Sequence, residues 1–248
     1  MLKQQEADYI FGIRAIIEAI RSGKEIDKVL IRKGLTGDLS QELFTEIRNS
    51  NILYSYVPPE KLDRITRKNH QGVIAFLSPI AYHNIETIIP SLFEQGKVPF
   101  ILLLDSLTDV RNIGAIARTA ECAGVDAIIV PEKGSAQINA DAVKTSAGAL
   151  HYMPFCRVKS LINTVKYLKD CGLQIVSATE KAADNYYTSK LTEPLVVIVG
   201  AEDTGISEDL LRISDALVRI PTLGQIQSLN VSAAASVLMY EVVKQRMK

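Results

Sequence analysis

Three short segments hold the side chains that could do chemistry. Residues 105–119 carry Asn112, Gly114 and Arg118 at what reads as a strand-to-helix turn. An arginine on the first turns of a helix can grip a phosphate or carboxylate through two parallel hydrogen bonds. Its plainer use is a surface ion pair with Glu121 at i+3. In residues 199–207, Gly200 and Gly205 bracket Glu202. Glycines there permit positive φ and close approach of a ligand to the backbone. Glu202 could bond a ligand hydroxyl or hold the loop. The plainer reading is a turn followed by a helix capped by Ser207. In residues 220–232, Ser228 and Asn230 stand where a long apolar helix begins. They could cap it, because the first backbone N–H groups of a helix lack partners.

Other chemistries lack their residues. The chain has no G-x-G-x-x-G dinucleotide loop and no G-x-x-x-x-G-K-[ST] phosphate loop. No Ser-centred nucleophile elbow is present. His70, His83 and His151 show no metal-ligand spacing, so no metal is expected.

Each of the three segments follows an apolar run that reads as a buried strand. Residues 100–104, 127–130, 155–158, 173–178, 195–199 and 216–220 are strand candidates. Residues 113–123, 161–169 and 231–246 read as helices. Continuous apolar strands alternating with helices indicate an α/β fold with a parallel sheet covered on both faces. Ligands bind beyond the carboxyl ends of such strands, which is where all three segments lie. The first 77 residues alternate helix and strand more tightly and read as a small separate α/β domain. The expected organisation is therefore a domain over residues 1–78, a linker and first helix over 79–97 with the boundary near Tyr82, and a second domain over 98–248.

Of 248 residues, 28 are Lys or Arg and 28 are Asp or Glu, so net charge gives no global case for nucleic acid. Local basic groups exist: Arg64, Arg67, Lys68 and His70 in one run, and the pair Arg32–Lys33. Cys122, Cys156 and Cys171 form neither a disulfide framework nor a metal pattern, which suits a reducing cytoplasm. The polar start, residues 1–8, does not resemble a signal peptide. No apolar run is long enough to span a membrane.

Taken in order, Asn112-Ile-Gly114-Ala-Ile-Ala-Arg118-Thr-Ala, Val199-Gly200-Ala-Glu202-Asp-Thr-Gly205-Ile-Ser207 and Ile220-Pro-Thr-Leu-Gly224-Gln-Ile-Gln-Ser228-Leu-Asn230-Val-Ser232 resemble the three motifs of the SpoU (TrmH-type) RNA ribose 2′-O-methyltransferases. Tyr9-Ile-Phe-Gly12-Ile-Arg14-Ala and Asn69-His70-Gln71-Gly72-Val73 resemble the opening and closing of that family's L30e-like substrate-binding domain. The resemblance implies a catalytic domain that holds S-adenosylmethionine in a deep trefoil knot, an exception to the usual connection rules. It implies main-chain cofactor contacts at Gly200, Ile220 and Leu229. It gives Arg118 the place of the catalytic arginine, with Asn112 beside it and Glu202, Ser228 and Asn230 shaping the pocket. RNA contacts are expected from Arg64, Arg67, Lys68, His70, Arg32 and Lys33. It further implies a homodimer acting on a guanosine ribose in structured RNA. Large-subunit (23S) rRNA is the expected substrate, tRNA is the alternative, and a non-catalytic RNA-binding protein is a third. Val110 and Thr222 depart from the family's usual Pro and Met, at positions that carry no chemistry.

Overall fold

The computed structural model describes residues 9–50, 52–226 and 228–247; residues 1–8, read above for a targeting signal, lie outside it. The chain divides into two compact units, Met1–Ile80 and Ala81–Lys248.

The smaller unit runs β1 (Tyr9–Phe11), α1 (Ile13–Arg21), β2 (Ile26–Arg32), α2 (Asp38–Asn49), β3 (Tyr54–Val57), α3 (Pro59–Ile65) and β4 (Val73–Leu77). Its four-stranded sheet has the order β1-β4-β2-β3. Ile13, Ile16, Ile17 and Ile20 form the apolar stripe expected of α1. They bury against Val29, Ile31, Val73 and Ala75 together with Leu43 and Ile47 of α2. Leu30, Ile74 and Val57 face the other way and meet Leu62 of α3. Gly12 enters α1 at φ 89°, and the Gln71 side chain accepts the orphan N–H of Ile13 at 3.1 Å. A left-handed φ at Gly12 costs little because glycine has no Cβ.

The larger unit runs β5 (Tyr82–His83), α4 (Ile85–Glu94), β6 (Phe100–Asp105), α5 (Val110–Cys122), β7 (Ala127–Pro131), α6 (Ala140–Thr145), β8 (Phe155–Val158), α7 (Leu161–Asp170), β9 (Gln174–Ala178), β10 (Asp184–Asn185), β11 (Leu195–Gly200), α8 (Glu208–Ile213), β12 (Ala216–Arg219) and α9 (Val231–Arg246). The sheet order is β10-β12-β9-β11-β6-β7-β8-β5, and every pairing is parallel. One face carries α4, α7 and α8: Ile89, Val165 and Leu210 pack on Ile101, Leu103, Ile129 and Ile198. The other carries α5, α6 and α9, with α5 against both α6 and α9. Burial on both faces explains why β6 and β11 read as unbroken apolar runs.

Several elements differ from the sequence expectation. Tyr82–His83, expected in a linker, pairs with Phe155–Cys156 as an outer strand of the large sheet. α5 starts three residues earlier than expected because the Asp109 carboxylate caps it, accepting from Arg111 N at 2.8 Å. Gly114 therefore lies inside the helix, not in a turn. A Cβ there would sit 2.6 Å from the Ala142 carbonyl oxygen and 2.8 Å from Thr145 Cβ, so glycine is required for α5 to approach α6. α6 itself is short and buries only Ala142, and no periodicity announces it. The apolar stripe of α9, including Leu238, Met239 and Val242, is buried within this chain. No helix among the described residues is long and apolar enough to cross a membrane.

Candidate active site

The strand order reverses between β6 and β11. From β6 the chain moves outward to β7 and β8; β11 pairs on its other side with β9, beyond which lies β12. Neighbouring strands whose connections leave in opposite directions open a crevice at their carboxyl ends. Asp105 and Gly200 face each other in register at that point.

Asp105 ends an apolar strand yet is only 5% exposed. One carboxylate oxygen accepts the Ser207 N–H at 2.8 Å and the other accepts the Ser106 hydroxyl at 2.9 Å. It ties the loop after β11 to the end of β6. Ser207 is thus held through its backbone, and its side chain makes no cap bond to α8. Sequence reasoning passed over Asp105; the signal was a charge closing an otherwise apolar strand, since such groups are almost never buried unless paired.

The loop after β11 folds back tightly on itself. Gly205 N donates to the Ala201 carbonyl at 2.8 Å, and Gly205 takes φ 67°. A Cβ on Gly200 would collide with the backbone of Gly205 and Ile206. Gly200 is required by this self-contact, and the positive φ belongs to Gly205. The tight fold presents Glu202 to the start of α9. One Glu202 carboxylate oxygen accepts from the Asn230 amide, from Val231 N at 3.3 Å and from the Asn112 amide at 3.4 Å. A carboxylate at a helix N-terminus is favoured by the unpaired N–H groups and the helix dipole.

Asn230 joins three elements. Its Oδ1 accepts from Ser232 N at 3.0 Å and from the Ser232 hydroxyl, which caps α9. That cap fixes the amide so that Nδ2 points outward, to Glu202 and to Asn112 Oδ1 at 3.1 Å. Further along, the Ser236 hydroxyl reaches Thr119 Oγ1 of α5 at 3.3 Å. Asn112, Glu202 and Asn230, drawn from three distant segments, therefore form one hydrogen-bonded group.

Arg118 does not join them. Six residues beyond Asn112 on one helix, it emerges about 120° away around the axis. It is exposed and, among the described residues, makes no hydrogen bond or ion pair, so the pairing with Glu121 does not form. Ser228 is exposed and outside the hydrogen-bonded group. Ile220 is half-buried just past β12. Leu229 is 44% exposed, beside Leu223 and Ile226 at 99% and 78%, so this apolar segment stands open in a single chain.

In the smaller unit, the two basic groups meet at one end of the sheet. Arg32 N donates to the Gly72 carbonyl at 2.8 Å, and Lys33 N to that of Val57 at 3.1 Å. Arg64, Arg67 and Lys68 are exposed in the approach to β4, and Lys68 Nζ lies 5.8 Å from the Phe11 ring centroid. His70 is engaged internally: Nδ1 accepts Gly72 N at 3.0 Å, so Nε2 carries the proton and donates to Asp63 Oδ1 at 3.0 Å. Among the described residues no group of three or more His, Cys, Asp or Glu could hold a metal ion.

The chain thus carries a small α/β unit with exposed Lys and Arg side chains, followed by an open parallel α/β unit with a polar site at its switch point, the place where enzymes of that class hold their ligands. Comparison with known proteins narrows it. Residues 99–240 match the SpoU rRNA Methylase family and residues 9–83 match the RNA 2'-O ribose methyltransferase substrate binding family. A protein assigned to the TrmH family of tRNA/rRNA methyltransferases from Staphylococcus saprophyticus is 35% identical over 96% of this chain and 95% of its own. YacO of Bacillus subtilis, assigned likewise, is 31% identical over 98% and 97%. Among solved structures, the SpoU methyltransferase AviRb from Streptomyces viridochromogenes in complex with AdoMet shares the fold, with TM-score 0.62 and 24% identity over 96% of this chain and 90% of that one. The chain belongs to the SpoU rRNA methylase family.

Proposed function

We propose that this protein transfers the methyl group of S-adenosylmethionine to the 2′-hydroxyl of a guanosine ribose in structured RNA, with large-subunit rRNA as substrate. The observation that carries this reading is the group formed by Asn112, Glu202 and Asn230 at the β6/β11 switch point. Family membership supplies the reaction class, and the basic end of the smaller unit suits a phosphate backbone.

S-adenosylmethionine, when bound, supplies an electrophilic methyl group. The residues present suit such a donor. Main chain at Gly200, Ile220 and Leu229 would hold it, Gly200 from the carboxyl end of β11, and the exposed apolar side chains of Leu223, Ile226 and Leu229 would offer cover for an adenosine. A ribose hydroxyl attacks only as its proton leaves. Asn112 and Asn230 carry amides that can hold and orient it, and Glu202 keeps both amides in place. Ser228 stands close in sequence to contact the substrate. Arginine stays protonated, so Arg118 acts by charge and geometry. Its free guanidinium grips an RNA phosphate, orients the hydroxyl and stabilises developing negative charge, while the proton passes to phosphate or water. Because Arg118 emerges away from the Asn112 group, we assign it to the site of a second copy in a homodimer. The knotted connection around the donor belongs to the same proposal.

Labelled methyl transfer to purified large-subunit rRNA and to tRNA tests the reading, with ribose mapping to locate the nucleotide. Incorporation into a guanosine of rRNA is expected. Label confined to tRNA overturns the choice of substrate. Failure of S-adenosylmethionine to bind in calorimetry, with RNA binding retained, turns the protein into a non-catalytic RNA binder.

A further inference from the structure

We propose that the outer edge of the smaller unit's sheet is a stacking platform for unpaired bases of the RNA substrate, built from Tyr54 and Tyr56 of β3 and Phe44 of α2. The proposal rests on the RNA-methyltransferase reading and adds where, and by what chemistry, single-stranded RNA is held.

Among the described residues β3 is an edge strand, paired with β2 alone. Tyr54 and Tyr56 lie in register with Val29 and Ile31, so both project from the α1/α2 face. They are 42% and 52% exposed. Their ring centroids are 5.7 Å apart in an edge-to-face arrangement, and Phe44 lies 6.0 Å from one and 6.2 Å from the other. Neither phenol oxygen has a hydrogen-bond partner among the described residues. The preference of tyrosine for strands accounts for such a residue at one position. It does not account for two half-exposed rings fixed by a third on one face.

Cations flank the rings. Lys33 continues the face of Val29 and Ile31 one step past β2, and its N–H extends the ladder onto Val57. It links the ridge to the basic end that holds Arg32, Arg67 and Lys68. Arg48 lies one helical turn after Phe44, on the side where α2 leads into β3. Neither Lys33 nor Arg48 enters an ion pair among the described residues. Rings with cations at both ends fit a strand of nucleotides: bases stack on the rings while phosphates meet the charges. Paired bases cannot reach such a surface, so the platform selects loops, bulges or ends. A protein strand adding to the β3 edge would use its backbone groups and would need neither the rings nor the cations.

The test uses the full-length chain, with labelled oligoadenylate and a blunt RNA duplex as probes, in anisotropy titrations at several salt concentrations. A Tyr54→Leu/Tyr56→Leu variant keeps apolar side chains suited to a strand but removes the planar faces. It should bind oligoadenylate about tenfold or more weakly and the duplex unchanged, with the salt slope preserved. A Tyr54→Phe/Tyr56→Phe variant should bind as wild type. A Lys33→Gln/Arg48→Gln variant should lower the salt slope, by about 0.7 for each lost phosphate contact. Photocrosslinking of an iodouridine oligonucleotide to wild type should label the peptide containing Tyr54 and Tyr56, and needs no variant to fold. Wild-type affinity in the leucine variant together with no crosslink there overturns the proposal. So does dissociation of an oligomer in the leucine variant with RNA affinity intact, which makes the edge a protein interface. Methyl transfer and S-adenosylmethionine binding by wild type are measured in parallel. If these fail, the underlying reading has failed; if they succeed while the leucine variant binds normally, only the platform has.

Discussion

Asn230 serves two functions through opposite ends of one amide. Oδ1 caps α9 and Nδ2 holds Glu202 and Asn112. The two separate by substitution. Asn230→Ser keeps a good cap and loses the outward amide, so unfolding free energy should stay within about 0.5 kcal/mol of wild type while methyl transfer falls sharply. Asn230→Ala loses both and should cost about 1 kcal/mol as well. Paired denaturation and methylation measurements decide it; equal stability losses in both variants would remove the dual role. Arg118 poses a different question, of shape against charge. Arg118→Lys retains the charge but not the planar fork. Turnover should drop at least about tenfold, on the scale of a weakened charge-assisted bond, with cofactor affinity unchanged in calorimetry. Near-native turnover would mean that a point charge suffices. Much of this was legible in the chain, because asparagine ahead of an apolar run signals a cap. That the cap's amide would meet Glu202 and Asn112 was not, since those partners lie 28 and 118 residues away.

At the scale of elements, approach distances decide what local patterns leave open. Gly114 reads as a turn glycine, yet its job is to let α6 touch α5. Gly114→Ala favours the helix by local propensity but forces a methyl into the Ala142 carbonyl. The steric term should win, giving a net loss of about 1–3 kcal/mol in a denaturant titration; a stabilised variant would show that α6 moves aside freely. Element positions were readable to within a residue or two at β4, β6, β8 and α9, where apolar runs are flanked by polar or glycine residues. β1, α6 and β10 were not, because two to six residues bury too little to leave a periodic trace.

Across the whole molecule, the parallel sheet couples protonation to stability at Cys156. This residue of β8 is fully buried, and burial pushes its thiol up to about 12 from an ordinary value near 9.0. A folded value above the unfolded one means the stabilising contribution is complete below pH 9 and is lost as pH rises toward 12. The slope should be about 1.4 kcal/mol per pH unit from this group. Cys156→Ala should start less stable, and its stability should fall less steeply between pH 9 and 11; parallel slopes would show that Cys156 does not titrate in this window. Exposed Cys122 should react with a thiol reagent at pH 8 while Cys156 waits for unfolding. The sequence by itself determined the α/β class and the polar segments closing three strands, because hydrophobic periodicity and capping are local properties. Only the tertiary structure decided that β11 inserts beside β6, that Asp105 and Gly200 face each other there, and that Arg118 emerges away from Asn112. Those outcomes depend on which strands pair and how closely backbones approach, which are long-range properties that no local window contains.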